Sequence, residues 1–394
     1  MKAKKIYLDF LTSVLGRFIE PVYLALYLVY AAFKRKITNW KFCVFFLILL
    51  MHGLIMYIFT GYDTGKIFQQ TLLLFITLFG YLQLYNKVTV EYVFTVYLKF
   101  VLGLAILGLL QYAAYVAFGI NIFPYTLDMF ETQTSDRLHS ILLEPGCVMS
   151  FFSPAVCYVI LSKTYFTKNR LKSLVILLAF LLTFSSASIV CLILAFGFRY
   201  YERLKKYRIF YYFAVILLAY YILSLYYGSK TFSDSDNVVD RATGKLSESM
   251  FAVFSISSGN ISPYVFEGLN ASSYAQLTNY WIAFNAPYRL VGTGIGTHKQ
   301  NYETSYKSNY VNYGLNEDDA YSLFARLLSE FGYIGLCFYI IFVVKYFNKN
   351  NIFSFCFLNF IICYLIKGGH YTLYCAALFH VLYYKCYKTK QLKS

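Results

Sequence analysis

Charged residues are scarce in this chain of 394 residues: they make up 14% of it, and the acidic ones are the scarcer sign, 19 Asp and Glu against 35 Lys and Arg. A soluble globular domain carries about a quarter charged residues, so that class is excluded. Cysteine gives no framework either. None of the nine cysteines lies between Gly228 and Ala320, and no Cys-x-x-Cys pair occurs, which leaves neither a disulfide scaffold nor a zinc site. No G-x-G-x-x-G follows a strand pattern, so a nucleotide-binding fold is not expected. The first apolar run has no A-x-A cleavage site and leads directly into more apolar sequence, so no cleavable signal is expected. No internal repeat stands out.

What is present is apolar sequence. Hydrophobic residues make up 59% and the mean hydropathy is +0.53, with runs of about twenty apolar residues recurring from end to end. These runs lack the period-two alternation of barrel strands, and a spanning helix satisfies its own backbone hydrogen bonds in lipid. The expected fold is an all-α integral membrane protein, a polytopic bundle. Spans are expected near 19–33, 42–60, 67–85, 92–118, 146–162, 173–198, 209–227, 320–343, 351–366 and 369–384. The run 173–198 is broken by Thr183-Phe-Ser-Ser-Ala-Ser188 and flanked on both sides by basic clusters, so it is read as a tight pair of short helices. The stretch from Ile6 to Phe33, with Arg17, Glu20 and Pro21 in its middle, is an in-plane helix plus a span, or a hairpin of half-spans. The total is ten to twelve helices.

The formal net charge of +16 invites a nucleic-acid partner, but its placement argues against one. Lysines and arginines cluster in short connectors, as at Lys34, Arg35 and Lys36 or Arg203, Lys205 and Lys206, where they mark the cytoplasmic side. The polar segment 228–319 carries six basic against nine acidic residues and faces the other side. The chain therefore divides into an N-terminal transmembrane bundle (1–227) with a short outer loop (119–146), a long extracytoplasmic loop (228–319) and C-terminal transmembrane helices (320–394). Membrane lipids are expected partners, and nucleic acid is not.

The outer segments hold the candidate chemistry. Arg137-Leu-His139-Ser-Ile-Leu-Leu-Glu144-Pro145-Gly146 runs into a helix start, where proline is tolerated and anions are favoured. Arg137 suits a phosphate-bearing head group, since its planar fork binds phosphate oxygens in pairs. The alternative is an interfacial arginine paired with Glu144. The run Gly292-Thr-Gly294-Ile-Gly296 permits close backbone approach and positive φ. Asp234-Ser-Asp236 resembles a metal-binding Asp-x-Asp but lies on the side without nucleotide sugars, so no metal is assigned. Asp318 and Asp319 precede a helix carrying Arg326 and then Glu330-Phe-Gly332-Tyr-Ile-Gly335; one aspartate is expected to cap that helix and the other to do chemistry.

Taken in order, Arg-x-x-Ser-x-Leu-x-Glu-Pro at 137–145, the serine-rich break at 183–188, Trp281 followed by the glycine run, and the acidic pair before Glu-Phe-Gly-Tyr-Ile-Gly resemble the Wzy-type O-antigen polymerases and their relatives the O-antigen ligases. The resemblance covers roughly residues 90–345. It implies a GT-C-like, metal-independent glycosyltransferase with no cofactor. Such an enzyme takes glycan from an undecaprenyl-diphosphate-linked oligosaccharide at the periplasmic face of the bacterial inner membrane, with a chain-length regulator protein as a further partner. This chain departs from the family pattern at Ser185-Ser186-Ala187, which has no arginine after serine, and at Leu277, where an arginine is common. Asp318-Asp319 stand near the position of the ligases' histidine, which favours polymerase over ligase; a lipid-linked glycan flippase and a structural membrane protein are the remaining alternatives. The implied roles are diphosphate binding by Arg137 and Arg289, then Arg241 and Arg326; proton acceptance by Asp319, with Glu144 next and His139 or His370 as outer-face alternatives; and helix capping by Asp318.

Overall fold

The structure is a computed structural model; the residues described are 3–15, 19–34, 36–38, 40–120, 122, 137–142, 145–206, 262–269 and 271–391. Fourteen α-helices follow one another among them: α1 (Ala3–Leu15), α2 (Ile19–Phe33), α3 (Lys41–Thr60), α4 (Thr64–Leu84), α5 (Val90–Phe118), α6 (Pro145–Leu161), α7 (Lys163–Lys168), α8 (Arg170–Leu181), α9 (Ser186–Lys206), α10 (Ala271–Asn285), α11 (His298–Ser305), α12 (Leu323–Tyr346), α13 (Ile352–Ile366) and α14 (Ala376–Gln391). The described residues form no strand, and one isolated parallel bridge joins Ser322 to Gly368.

Among the described residues four helices, α3, α4, α5 and α12, are long and apolar enough to cross a membrane. At 1.5 Å per residue, twenty residues reach about 30 Å, the thickness of a hydrocarbon core. Shorter apolar helices stand at Ile19–Phe33, Gly146–Leu161, Ala187–Tyr200 and Ile352–Ile366. On α3 the side chains of Val44, Leu47, Ile48, Met51, Ile55 and Ile58 are exposed, as are Phe338, Ile341 and Val344 on α12. Such faces are stable against lipid and not against water. The chain is a helical membrane protein.

Local chemistry sets the helix ends. Asp63 caps α4 by accepting from Gly65 N at 2.7 Å, while Gly61 and Gly119 end α3 and α5 in the left-handed conformation with φ of 66° and 67°. The serine-rich break divides α8 from α9, as expected. There Thr183 Oγ1 donates to Phe180 O at 2.7 Å and lies 3.0 Å from Ser188 Oγ, and Phe184 takes φ of 43°. The stretch 6–33 is two helices, α1 and α2, packed on each other.

Two expected spans begin later than their apolar runs imply. The helix expected at 320–343 is α12, starting at Leu323, and its cap is Ser322, whose Oγ accepts from Ala325 N at 3.1 Å. Asp318 is therefore not the cap. The bridge between Ser322 and Gly368, with Ala320 and Tyr321 turned into the left-handed region before it, keeps residues 319–322 out of the helix. The span expected at 369–384 is α14, starting at Ala376, because 367–375 forms a turn with Gly368, Tyr374 and Cys375 all at positive φ. That turn carries His370.

Part of the long polar segment is folded. A 3-10 turn at Pro263–Phe266 leads to α10, whose Tyr280 and Phe284 rings lie 5.9 Å and 6.1 Å from Phe324 on α12. The span expected at 209–227, Asp234-Ser-Asp236, Ser249 to Phe254, Arg241 and Glu144 lie outside the described residues.

Candidate functional site

The site is assembled around a break in α12. Gly332 leaves the helical path at φ 62° and ψ −166°, which frees backbone groups on both sides of it. The run from Arg289 to Gly294 fills them: Thr293 N and Gly294 N donate to Ser329 O and Glu330 O at 3.3 Å and 2.8 Å, and Tyr333 N and Ile334 N donate to Arg289 O and Leu290 O at 3.0 Å each. Buried backbone groups in a membrane protein require such partners. Each glycine of the run meets a different helix. A Cβ on Gly292 would lie 2.4 Å from Glu330 C on α12, one on Gly294 3.2 Å from Gly53 Cα on α3, and one on Gly296 2.7 Å from Gln70 Cγ on α4. The three glycines thus let one loop pin three helices together.

Behind this joint lies Arg326, 2% exposed, one helical turn before Glu330, which is fully buried. Arg326 Nε donates to Glu330 Oε1 at 3.0 Å, Nη1 to Gly369 O at 3.0 Å and Nη2 to Gln70 Oε1 at 3.3 Å. Its guanidinium sits 4.1 Å over the Tyr371 ring, and the Tyr371 hydroxyl donates to Glu330 Oε2 at 2.7 Å. This is a buried ion pair with its remaining capacity satisfied, the arrangement in which such a pair is stable. Arg326 joins α12, α4 and the 367–375 turn, and so positions that turn.

The turn presents His370 to Asp319. His370 Nε2 lies 3.1 Å from Asp319 Oδ2, while Asp319 Oδ1 accepts from Asn316 Nδ2 at 3.0 Å and from Tyr321 N at 3.3 Å. Gly369 packs so closely on the Asp319 carbonyl that a Cβ there would clash with it. Ala320 and Tyr321 both take φ of 60°. Two consecutive non-glycine residues in the left-handed region are strained, and strain of this kind clusters at functional sites. A carboxylate orienting an imidazole is the arrangement that lets a histidine take a proton from a hydroxyl.

An apolar groove of about 790 Å³ ends at this pair. Lys41 and Tyr346 line one end of it, and His52, Val291, His370 and Tyr371 the other. Between Lys41 and His52 alone α3 rises about 16 Å. Phe45, Ile48, Ile334 and Phe338 line the groove and are also exposed, so it opens sideways between α3 and α12. Its polar end is fixed by His52 Nε2, 2.8 Å from Val291 O.

The other expected residues fall in three places. Arg289 is exposed at the same joint, its Nη2 donating to Asn285 Oδ1 at 3.2 Å, two residues before the groove-lining Val291. Asp318 is exposed beside the Lys299–Glu317 ion pair. Arg137 and His139 belong to a second polar region at the serine-rich break: Arg137 Nη2 donates to Phe184 O at 2.9 Å, and Gln111 Oε1 on α5 accepts from His139 N at 3.2 Å. Burial holds the His139 imidazole below its ordinary pKa. Helices α6 and α13 pack on each other, and Tyr364 on α13 lies within electrostatic reach of Asp319, Arg326 and Cys147 on α6.

Four participants were not legible as site residues: Gln70, Tyr371, Asn279 and His298. His298 follows the glycine run, is fully buried, and lies with Nε2 2.8 Å from Asn279 Oδ1. Burial, and secondarily the Arg326 charge, push its pKa down to about 3. It is a neutral imidazole at any physiological pH. A histidine two residues after the last glycine of the run is the available signal.

No family model, no curated protein and no solved structure matches this chain.

Proposed function

We propose that this protein polymerises undecaprenyl-diphosphate-linked oligosaccharide repeat units into a surface polysaccharide at the periplasmic face of the bacterial inner membrane. The observation that carries this is the juxtaposition of a long, laterally open apolar groove with the His370–Asp319 pair at its polar end. A polyprenyl tail is the ligand such a groove accommodates, and its diphosphate then lies at the Arg289 joint, where charge-assisted bonds stabilise the leaving group. On this reading the chain crosses the membrane ten to twelve times, with 228–319 outside.

The reaction needs little from the protein beyond orientation and charge. The acceptor sugar hydroxyl attacks the anomeric carbon of the donor glycan; the bond from that carbon to the phosphate oxygen breaks, and its electron pair leaves with the lipid diphosphate. The hydroxyl proton passes to the His370 imidazole. Asp319 has Oδ1 engaged by Asn316 and Tyr321 and Oδ2 by His370, so its part is to orient His370 and stabilise the imidazolium. Arg326, with its donors directed at Gly369, Gln70 and Glu330, is a positioning residue. Arg289 and Arg137 are the diphosphate ligands.

Deleting the gene tests the proposal. The expected surface glycan carries at most one repeat, and a plasmid copy restores the ladder. An unchanged ladder refutes the proposal, and full-length polymer left on the lipid carrier assigns a ligase instead.

A further inference from the structure

Besides the groove, the folded part of the polar segment holds an open recess of about 830 Å³. Tyr264 and Tyr313 supply ring faces to it, and Glu303, Thr304, Lys307 and Asn309 supply a carboxylate, a hydroxyl, an ammonium and an amide. The last four are exposed. The rings are held from behind. Tyr264 OH donates to Lys307 O at 2.8 Å and its ring meets Tyr306 edge-on at 5.2 Å, while the Tyr313 ring lies 5.5 Å from Tyr302 and 5.6 Å from Tyr306. Beneath them the Glu267 carboxylate accepts from Tyr306 OH at 2.6 Å and from Ser308 Oγ; these hydrogen bonds, the Ser308 one foremost, hold its pKa below the ordinary carboxylate value. The floor of the recess is therefore fixed before any ligand arrives.

Its location relates it to the His370–Asp319 pair. Helix α11 rises about 12 Å over its eight residues. Its first residue, His298, lies within electrostatic reach of Asp319 and Arg326, and its last turn supplies Glu303 and Thr304 to the recess. Thr304 Oγ1 is also 3.3 Å from Tyr62 OH, which ties the recess to the α3–α4 connection. Helix α11 thus leads from the neighbourhood of the reacting pair to the recess, on the same folded unit.

The lining selects a ligand class. A nucleic-acid backbone calls for a net positive surface, which Glu303 beside Lys307 does not give. A lipid tail calls for a wall free of ionised side chains, and Glu303 and Lys307 both stand in this one. Rigid aromatic faces surrounded by donors and acceptors of both kinds match a molecule with apolar ring faces and hydroxyls along its edges. We infer that the recess is a saccharide-binding subsite, holding sugar residues of the glycan chain away from the bond that reacts. The identity of the glycan rests on the proposed function; the binding itself is measured without it.

The test uses the full-length protein in lipid nanodiscs and, as probe, lipid-free oligosaccharides of one and two repeats cut from the host's own surface polysaccharide. Saturation-transfer NMR and calorimetry read the binding. The wild type is expected to bind, and the double variant Lys307→Ala/Asn309→Ala to weaken Kd about tenfold or more, the loss of a hydrogen-bonded contact or two. Both replaced side chains are exposed, so the variant keeps its fold, checked by an unchanged elution volume and melting temperature. Tyr313→Leu removes a ring face and is expected to weaken binding as well. Wild-type protein that binds neither oligosaccharide, or a double variant that binds as the wild type does, overturns the inference. A deletion strain that keeps its polysaccharide sinks the polymerase reading alone.

Discussion

Replacing Arg326 with methionine leaves Glu330 buried with a hydrogen bond from the Tyr371 hydroxyl but no counter-charge, and removes the donors to Gly369 O and Gln70 Oε1. The side chains of Arg326 and Glu330 are 3% and 0% exposed, so water does not substitute for what is lost. Breaking a buried pair from one side costs about 3–5 kcal/mol, whereas removing both charges with apolar groups of similar volume is close to neutral or stabilising. Three neutral groups, Gly369 O, Gln70 Oε1 and the Tyr371 hydroxyl, lose a partner in the double variant Arg326→Met/Glu330→Leu, so the expected order of stability is wild type, then the double variant, then Arg326→Met alone with its uncompensated buried charge. Heating in nanodiscs followed by size exclusion measures it as the fraction remaining monodisperse. The double variant is also expected to lose activity despite its stability, because Gly369 is no longer held and His370 drifts from Asp319. A single variant as stable as the wild type, or a double variant as unstable as the single, refutes the assignment of Arg326 as a strut satisfied by Glu330.

Three further outcomes follow from the same geometry. Gly292→Ala places a Cβ 2.4 Å from two backbone atoms of α12 at a φ of 74°, and is expected to destabilise by more than the roughly 1 kcal/mol of the backbone conformation alone, seen as a lowered melting temperature. His298 has a folded pKa near 3, below its unfolded value, so the unfolded chain binds the extra proton and stability is lost as pH falls below about 6.5. Its share between pH 7 and pH 5 is about 2 kcal/mol, and His298→Gln is expected to flatten that part of the stability profile. Ser322→Ala removes the cap of α12 and is expected to cost about 1 kcal/mol in the same melting assay.

Long apolar runs made the helices legible, because a spanning helix needs only length and hydropathy to be recognised. The serine-rich break was legible for a similar reason, since hydroxyl side chains compete for the carbonyls of a helix end. Asp319 and His370 stood out as ionisable residues beside spans, but their pairing was not visible. It depends on the 367–375 turn replacing two turns of expected helix, and that replacement is driven by Gly368 and Gly369 packing against 319–322. Asp318 reads as the cap because capping is the commonest use of an aspartate at the mouth of an apolar run, and the bridge at Ser322 puts the helix start past it. The glycine run showed that backbones come close without showing to what. Its partners lie on α3, α4 and α12, far apart in sequence, and Gly332 reads as an ordinary helix residue until its φ is known. Gln70, Tyr371 and His298 were hidden because polar residues on apolar helices or in loops are usually structural, and only tertiary packing brings these three to Arg326.

Reconstitution tests the central claim most directly. Purified protein in nanodiscs is given the host's undecaprenyl-diphosphate-linked repeat unit, and both the polymer and the released lipid diphosphate are counted. The wild type is predicted to release one lipid diphosphate for each linkage formed. His370→Gln and Asp319→Asn, folded as the wild type is, are predicted to lose about 100- to 10,000-fold in rate, the range for a general base and the group that orients it. Polymer formed at the wild-type rate by both variants, or no polymer from the wild type, contradicts the account.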